Sequence, residues 1–209
     1  MRKYHKIQTV YKRDPKNKFK TLLEGQFSLE EFEYLFKNFW VWTEKIDGTN
    51  IRIMFDGEKT ITFGGKTDRA QLPTKLVVRL NEVYLPKVDI FRGLFGNTPA
   101  CLYGEGFGAG IQKGGKYRPD QDFIMFDINI NDWWIKRDDV SEVAKELKTD
   151  IVPIVDIDSL SNMVEFVRKG FKSQWGDFQA EGLVARPVVE LKARNGDRII
   201  TKLKCKDFK

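Results

Sequence analysis

Five short segments carry side chains able to do chemistry. The first, Glu44-Lys45-Ile46-Asp47-Gly48-Thr49-Asn50, sets a lysine beside a glycine turn. A lysine is a nucleophile only as the neutral amine, so this reading needs a metal or cationic neighbours to favour loss of its proton. The other reading is a solvated loop lysine. The second segment, Tyr103-Gly104-Glu105-Gly106-Phe107-Gly108-Ala109-Gly110, sets a carboxylate in a glycine run. That suits a hydrogen bond to a sugar hydroxyl with close backbone approach; a flexible glycine loop is the alternative. The phosphate-cradling pattern GxxxxGK[ST] is absent. The third, Asp122-Phe123-Ile124-Met125-Phe126-Asp127-Ile128, reads as a core strand in which one exposed aromatic can stack on a base. The fourth, Ala180-Glu181-Gly182-Leu183-Val184, leads from an acid into an apolar strand. In the fifth, Lys202-Leu203-Lys204-Cys205-Lys206, alternation puts the three lysines on one face, as in a lysine-protected edge strand.

Composition narrows what these segments can do. The single histidine, His5, leaves no material for a histidine triad or a multi-histidine metal site. Two cysteines, Cys101 and Cys205, cannot build a disulfide framework or a four-ligand zinc site. A metal here would be held by oxygen, which favours Mg2+ or Mn2+. No apolar run reaches membrane-span length, and no apolar stretch follows the basic start, so the sequence predicts neither a membrane protein nor a secreted one. The 209 residues fit one soluble domain with a buried core. Net charge is +6, unevenly spread: residues 1–20 hold eight basic side chains and one acid, residues 186–209 eight basics and three acids, and the centre is acidic. Basic ends suit a polyanion or simply solvent.

The elements that must position these residues follow from periodicity. Ser28-Leu29-Glu30-Glu31 reads as a capping box opening a helix over about 28–38. A strand is expected over 40–44, then a hairpin from 50–55 through Asp56-Gly57 into 60–63. Residues 73–84 repeat apolar side chains at helical spacing. Strands are expected over 100–105 and 122–130. Helices are expected over 138–148 and 159–169, around a strand at 151–155. Two closing strands, 184–189 and 198–205, turn at Asn195-Gly196. The result is an α+β fold, read as one domain.

In order and spacing, Lys-x-Asp-Gly, Tyr-Gly-Glu, Phe-x-x-Phe-Asp-Ile, Glu-Gly-Leu-Val and Lys-x-Lys resemble the covalent nucleotidyltransferase superfamily of DNA ligases, RNA ligases and mRNA capping enzymes. The resemblance spans about 42–208. It is strongest to the RNA ligase 2 group, through Glu44-Lys45-Ile46-Asp47-Gly48-Thr49-Asn50 and through Gly110-Ile111-Gln112-Lys113. DNA ligases usually carry Arg where Asn50 stands; here an arginine comes two residues later, at Arg52. Lys66, in Gly65-Lys66-Thr67-Asp68-Arg69, stands where the family commonly has Arg, leaving Lys66 and Arg69 as alternatives.

The resemblance implies an adenylation domain of antiparallel sheets flanked by helices, ATP-grasp-like, over 1–209. It implies ATP and Mg2+ or Mn2+, and an RNA or nicked RNA-containing duplex as partner. Lys45 would attack the α-phosphorus of ATP, forming lysyl-AMP; AMP would pass to a 5′-phosphate, and a 3′-OH would close the strand. Lys202 and Lys204 would contact the α-phosphate, with Lys66 or Arg69 adding phosphate contacts. Glu181 would hold the metal, directly or through water. Glu105 would accept from the ribose and Phe126 would stack on adenine, with Phe123 as competitor. Glu44 would help read the adenine amino group, partly through its backbone, and Ile46 joins the nucleotide-binding set. Asn50 and Arg52 would contact the 5′-phosphate or the 3′ end. Family ligases generally carry a further C-terminal domain, whereas this sequence stops five residues past Lys204, as a minimal ligase or a fragment. A monomer is expected, in the cytoplasm of its own cell or, for a viral protein, of the host. The rival readings are a DNA ligase core, a capping-type guanylyltransferase and a non-catalytic RNA-binding module.

Overall fold

The computed structural model describes residues 3–208; the outermost residues of the basic leader and tail, 1, 2 and 209, lie outside them. In chain order the elements are β1 (Gln8–Thr9), β2 (Tyr11–Arg13), β3 (Leu22–Phe27), α1 (Glu30–Tyr34), β4 (Phe39–Glu44), β5 (Thr49–Phe55), β6 (Ile61–Gly65), α2 (Thr74–Tyr84), α3 (Val88–Phe95), β7 (Ala100–Gly108), β8 (Gln121–Ile130), β9 (Trp133–Trp134), α4 (Arg137–Glu146), β10 (Asp150–Ile151), β11 (Ile154–Ser159), α5 (Leu160–Lys169), β12 (Gly182–Pro187) and β13 (Thr201–Lys204). They form two compact units. The central unit is Asp47–Val152 with Lys3 and Tyr4; the terminal unit is His5–Ile46 with the described residues from Pro153 onward.

The central unit is a mainly antiparallel sheet in the order β10-β8-β7-β5-β6, with β9 paired to β8. Alternation along β5 sends Ile51, Ile53 and Phe55 to one face, where they pack with Leu76, Leu80 and Tyr84 of α2, Phe91 and Phe95 of α3, and Val140 and Ala144 of α4. Leu76, Leu80 and Tyr84 recur at i, i+4 and i+8, so one stripe of α2 enters the core. Each leucine buried there contributes about 2 kcal/mol of transfer free energy. The opposite face carries Asn50 and Arg52, which pair in register with Glu105 and Tyr103. α3 is an element that none of the sequence expectations includes.

The terminal unit is a second sheet in the order β1-β13-β12-β4-β11, plus the hairpin β2-β3. Trp40, Trp42, Leu183, Ala185 and Leu203 face α5 and bury together. The antiparallel sheets flanked by helices match the α+β expectation; the parallel pairs are β1 with β13 and β10 with β8.

Three local expectations fail for physical reasons. The Ser28 hydroxyl donates to the Thr9 carbonyl, so no capping box forms, and α1 runs only from Glu30 to Tyr34 with Leu29 at its N-cap. The strand expected over 151–155 is two strands in two units, split at Pro153, which has no N–H to continue a ladder. The lysine-rich β13 is no edge: it lies between β1 and β12, and Lys206 leaves the alternation in a 3-10 turn, Cys205–Phe208.

Candidate active site

Lys45 follows β4 directly, and its N–H donates to the Gly182 carbonyl at 2.9 Å, extending the β4–β12 ladder by one residue. Alternation then sorts the sheet. Glu44 pairs with Leu183 and Leu183 with Leu203, all on the core face; Thr43 pairs with Val184 and Val184 with Lys202 on the other. Lys45, Lys202 and Lys204 therefore share the face opposite the core.

On that face Glu181 joins two of the lysines. Its Oε2 accepts from Lys45 Nζ at 2.6 Å and its Oε1 from Lys204 Nζ at 2.6 Å. Lys45 Nζ also donates to the Ile46 carbonyl at 3.4 Å. Two backbone features fix the carboxylate. The Cys205 N–H donates to the Glu181 carbonyl at 2.9 Å. Gly182 lets the strands close, since a Cβ there would lie 2.0 Å from the Leu203 carbonyl oxygen. Glu-Gly before an apolar strand is thus a steric requirement for holding the acid against Lys204. All three charged side chains are largely buried.

Glu44 departs from its expected role. It is buried, its carboxylate accepting from the Ser173 hydroxyl at 2.5 Å and the Gln174 N–H at 2.9 Å. The side chain is spent on the 173–174 loop, which leaves the backbone of Glu44 as the part that could meet an adenine amino group. Ile46 is buried beside Lys45 in sequence, its carbonyl turned to the lysine amine.

The central unit holds the other predicted residues. Gly48 allows the turn to pass over β7; a Cβ there would sit 2.3 Å from the Gly106 carbonyl oxygen and 2.7 Å from Glu105 Cγ. Asn50 lies opposite Glu105, and its Oδ1 is buried with no hydrogen-bond partner. An unpaired buried acceptor costs about 1–3 kcal/mol, which a donor on a bound ligand would recover. Arg52, expected at a phosphate or 3′ end, is instead buried: its Nε donates to the Gly65 carbonyl and its Nη2 to Asp68, both at 2.8 Å. It holds the following bend from behind, leaving Lys66 and Arg69 exposed on it. The Arg52 hydrogen bond, then its charge, keeps the Asp68 carboxyl below the usual carboxylate range.

A bulge in β8 separates the two aromatic candidates. Tyr103 pairs with Asp127 and Gly104 with Met125, so Phe126 is the extra residue. Phe123 is buried in the helix-side core against Tyr84, which excludes it from stacking on a ligand. Phe126 packs against Tyr4 at 5.1 Å between ring centroids, and Tyr4 bonds Asp127 at 2.7 Å. Both cysteines are free and buried, and burial pushes the Cys101 thiol up to about 11, so it stays protonated near neutral pH.

Among the described residues no group of three His, Cys, Asp or Glu side chains is placed to hold a metal. The donor set still fits Mg2+, which keeps several waters and uses one or two carboxylates with substrate phosphates. Glu181 is the carboxylate on the lysine face. Sequence reasoning missed Asp207: buried, it accepts from Arg13 at 2.8 Å and from the Lys204 N–H at 3.0 Å. An acid three residues past Lys204 was its only signal.

The family profile described as RNA ligase matches residues 38–204. No curated protein sequence matches the chain. Solved structures of Naegleria gruberi RNA ligase share the fold. A variant with ATP and Mn aligns with a TM-score of 0.69 at 16% identity, covering 96% of this chain and 55% of that one. An apo variant gives 0.67 at 16%, with 97% and 56% covered. The ligase with PPi gives 0.65 at 18%, with 95% and 56% covered. The chain thus spans a little over half the length of these structures. Among the described residues no helix is long and apolar enough to cross a membrane.

Proposed function

The chain belongs to the RNA ligase family, and from that premise we propose that it is an ATP-dependent RNA ligase working through a lysyl-AMP intermediate. The observation that carries this reading is the pair of contacts made by Glu181, to Lys45 on one oxygen and Lys204 on the other. Lys45 is ion-paired to Glu181, so the pair must open and the ammonium must pass its proton to water before the amine can attack. The Nζ–Pα bond then forms as the Pα–O bond to pyrophosphate breaks. Lys202 and Lys204 neutralise the crowded phosphate oxygens, and their fixed place on the sheet supplies alignment. AMP next passes to a 5′-phosphate, and a 3′-OH attacks that phosphate and releases AMP. Glu181 would hold Mg2+ or Mn2+, whose chemistry when bound is charge neutralisation on the phosphates. Glu105 accepts from the ribose, Phe126 stacks on the base, and the unpaired Asn50 Oδ1 receives a donor from a substrate. The ATP, Mn and PPi described with the Naegleria gruberi ligase support the same nucleotide chemistry here. We read the protein as a monomer acting in a reducing cytoplasm, which its two buried free thiols support.

The test is incubation with labelled ATP and Mg2+, followed by nicked duplexes with RNA or DNA on each side of the nick. We expect labelled protein, none with Lys45→Ala, and discharge only by an RNA 3′-OH. A GTP adduct would mean a capping-type enzyme, and discharge on all-DNA nicks a DNA ligase. Absence of any adduct would leave a non-catalytic RNA-binding module.

A further inference from the structure

From His5 onward the basic leader belongs to the terminal unit. Residues 8–9 form β1 against Thr201 and Lys202, and residues 11–27 fold into the β2-β3 hairpin. The end of that hairpin is a knob, Pro15-Lys16-Asn17-Lys18-Phe19-Lys20, on which Lys16, Lys18, Phe19 and Lys20 are all exposed. Phe19 has 60% of its surface open to solvent. It does not hang loosely. Lys18 and Phe19 are consecutive non-glycine residues in the left-handed region, with φ of 61° and 60°. That uncommon backbone is pinned on every side. Phe19 N–H donates to the Asp14 carbonyl at 2.8 Å, Lys20 N–H to Asn17 Oδ1 at 3.0 Å, and Arg13 Nη1 to the Phe19 carbonyl at 3.2 Å. Asp14, the only acid in residues 1–20, spends its Oδ1 on the Lys16 N–H.

Local strain that displays an apolar ring to water among three cations is the reverse of what folding alone selects. An aromatic face flanked by lysines is the pairing that takes unpaired nucleic acid, the base stacking and the phosphates meeting the cations. The knob is also anchored where a substrate strand would matter. Arg13, which holds the Phe19 carbonyl, reaches Asp207 with its other terminal nitrogen, and Asp207 holds the backbone of Lys204.

We propose that this knob is a single-strand RNA contact, Phe19 stacking on one unpaired base and Lys16, Lys18 and Lys20 meeting the adjoining phosphates. The proposal rests on the RNA ligase reading for the identity of the nucleic acid. It predicts a preference for ends carrying an unpaired stretch over fully paired ones.

The experiment measures anisotropy of a labelled RNA duplex with a single-stranded tail, and of its blunt counterpart, across a salt series. For Lys16→Gln/Lys18→Gln/Lys20→Gln we expect weaker binding of the tailed RNA and a log–log salt slope shallower by about 2, three contacts at ~0.7 each. For Phe19→Ala we expect about a tenfold loss on the tailed RNA, an unchanged slope, and no loss on the blunt one. Self-adenylation without RNA should match the unaltered protein in both. Unchanged affinity and slope in the two variants would overturn the proposal, and so would a loss of self-adenylation, which would make the knob a fold element. A Phe19→Ala loss of equal size on blunt RNA would overturn the stacking assignment. If the unaltered protein forms no lysyl-AMP, the ligase reading fails, while the tailed-RNA comparison still decides the knob.

Discussion

The two units hold their candidate site residues in opposite electrostatic states. In the terminal unit the charges at the strand ends close on one another: Lys45 and Lys204 each lie 2.6 Å from an oxygen of Glu181. In the central unit the sheet face bearing Asn50 and Glu105 keeps a buried acceptor, Asn50 Oδ1, with no donor at all. A closed cluster must be opened before it reacts, whereas an open acceptor waits to be filled. Groups that make and break bonds can thus rest paired on rigid strands, while groups that recognise a ligand carry a standing cost that binding repays.

Breaking the closed cluster should have the largest effect. Glu181→Gln leaves Lys45 and Lys204 without their shared counter-charge, and two consequences oppose each other. Losing the carboxylate frees the Lys45 amine sooner, which alone would speed adenylation. Losing the oxygen proposed to hold the metal, together with the lysine alignment, slows it. Charge stabilisation of developing anions is the larger quantity, so single-turnover adduct formation should fall about 10²-fold or more. A rate equal to or above that of the unaltered protein would show that Glu181 merely restrains the nucleophile.

A milder break acts one step further back. Asp207 touches no reacting group in the proposed chemistry, yet it joins Arg13 to the Lys204 backbone. Removing one partner of a buried pair costs about 3 kcal/mol, and here it also frees the end of β13. Asp207→Ala should lower the melting temperature and slow adenylation about tenfold, mostly in kcat. Asp207→Asn, which keeps an acceptor for the Lys204 N–H, should recover much of the rate. An Asp207→Ala protein that is less stable but adenylates normally would confine the residue to folding.

How far all this was legible in the sequence depends on range. Alternation along 50–55 and the helical stripe at 76, 80 and 84 declared their faces, because period alone decides burial there. The motif order brought Lys45, Glu181 and Lys204 into one hypothesis, and the fold brings their side chains into one cluster. Contacts between distant residues were not readable. The Ser28 hydroxyl is claimed by the Thr9 carbonyl, a tertiary bond that defeats the local capping signal. Glu44 stands next to Lys45 in sequence, but period two turns it to the core face, where Ser173 waits. The link from Arg13 to Asp207 spans 194 residues, and neither end has a local pattern that announces it.

The smallest predicted effect tests the open face, through the bend that Arg52 holds. Arg52→Met deletes the charge-assisted bond to the Gly65 carbonyl, worth about 1.5–3 kcal/mol, together with the pair to Asp68. Lys66 and Arg69 keep their charges but lose the support behind them, so ATP should bind several-fold more weakly with little change in kcat. Asp68→Asn keeps the Gly65 bond and should do less. The proton supplies a further control. Because the Arg52 contact lowers the folded Asp68 pKa, its stabilisation is present above the unfolded value and is lost as pH falls through the folded one. In Arg52→Met the Asp68 carboxyl should therefore titrate higher than in the unaltered protein, a shift that NMR can follow. If Asp68 keeps its low value in that variant while ATP binding weakens, Arg52 touches the nucleotide itself, and the contrast between a closed cluster and a face propped from behind would have to be redrawn.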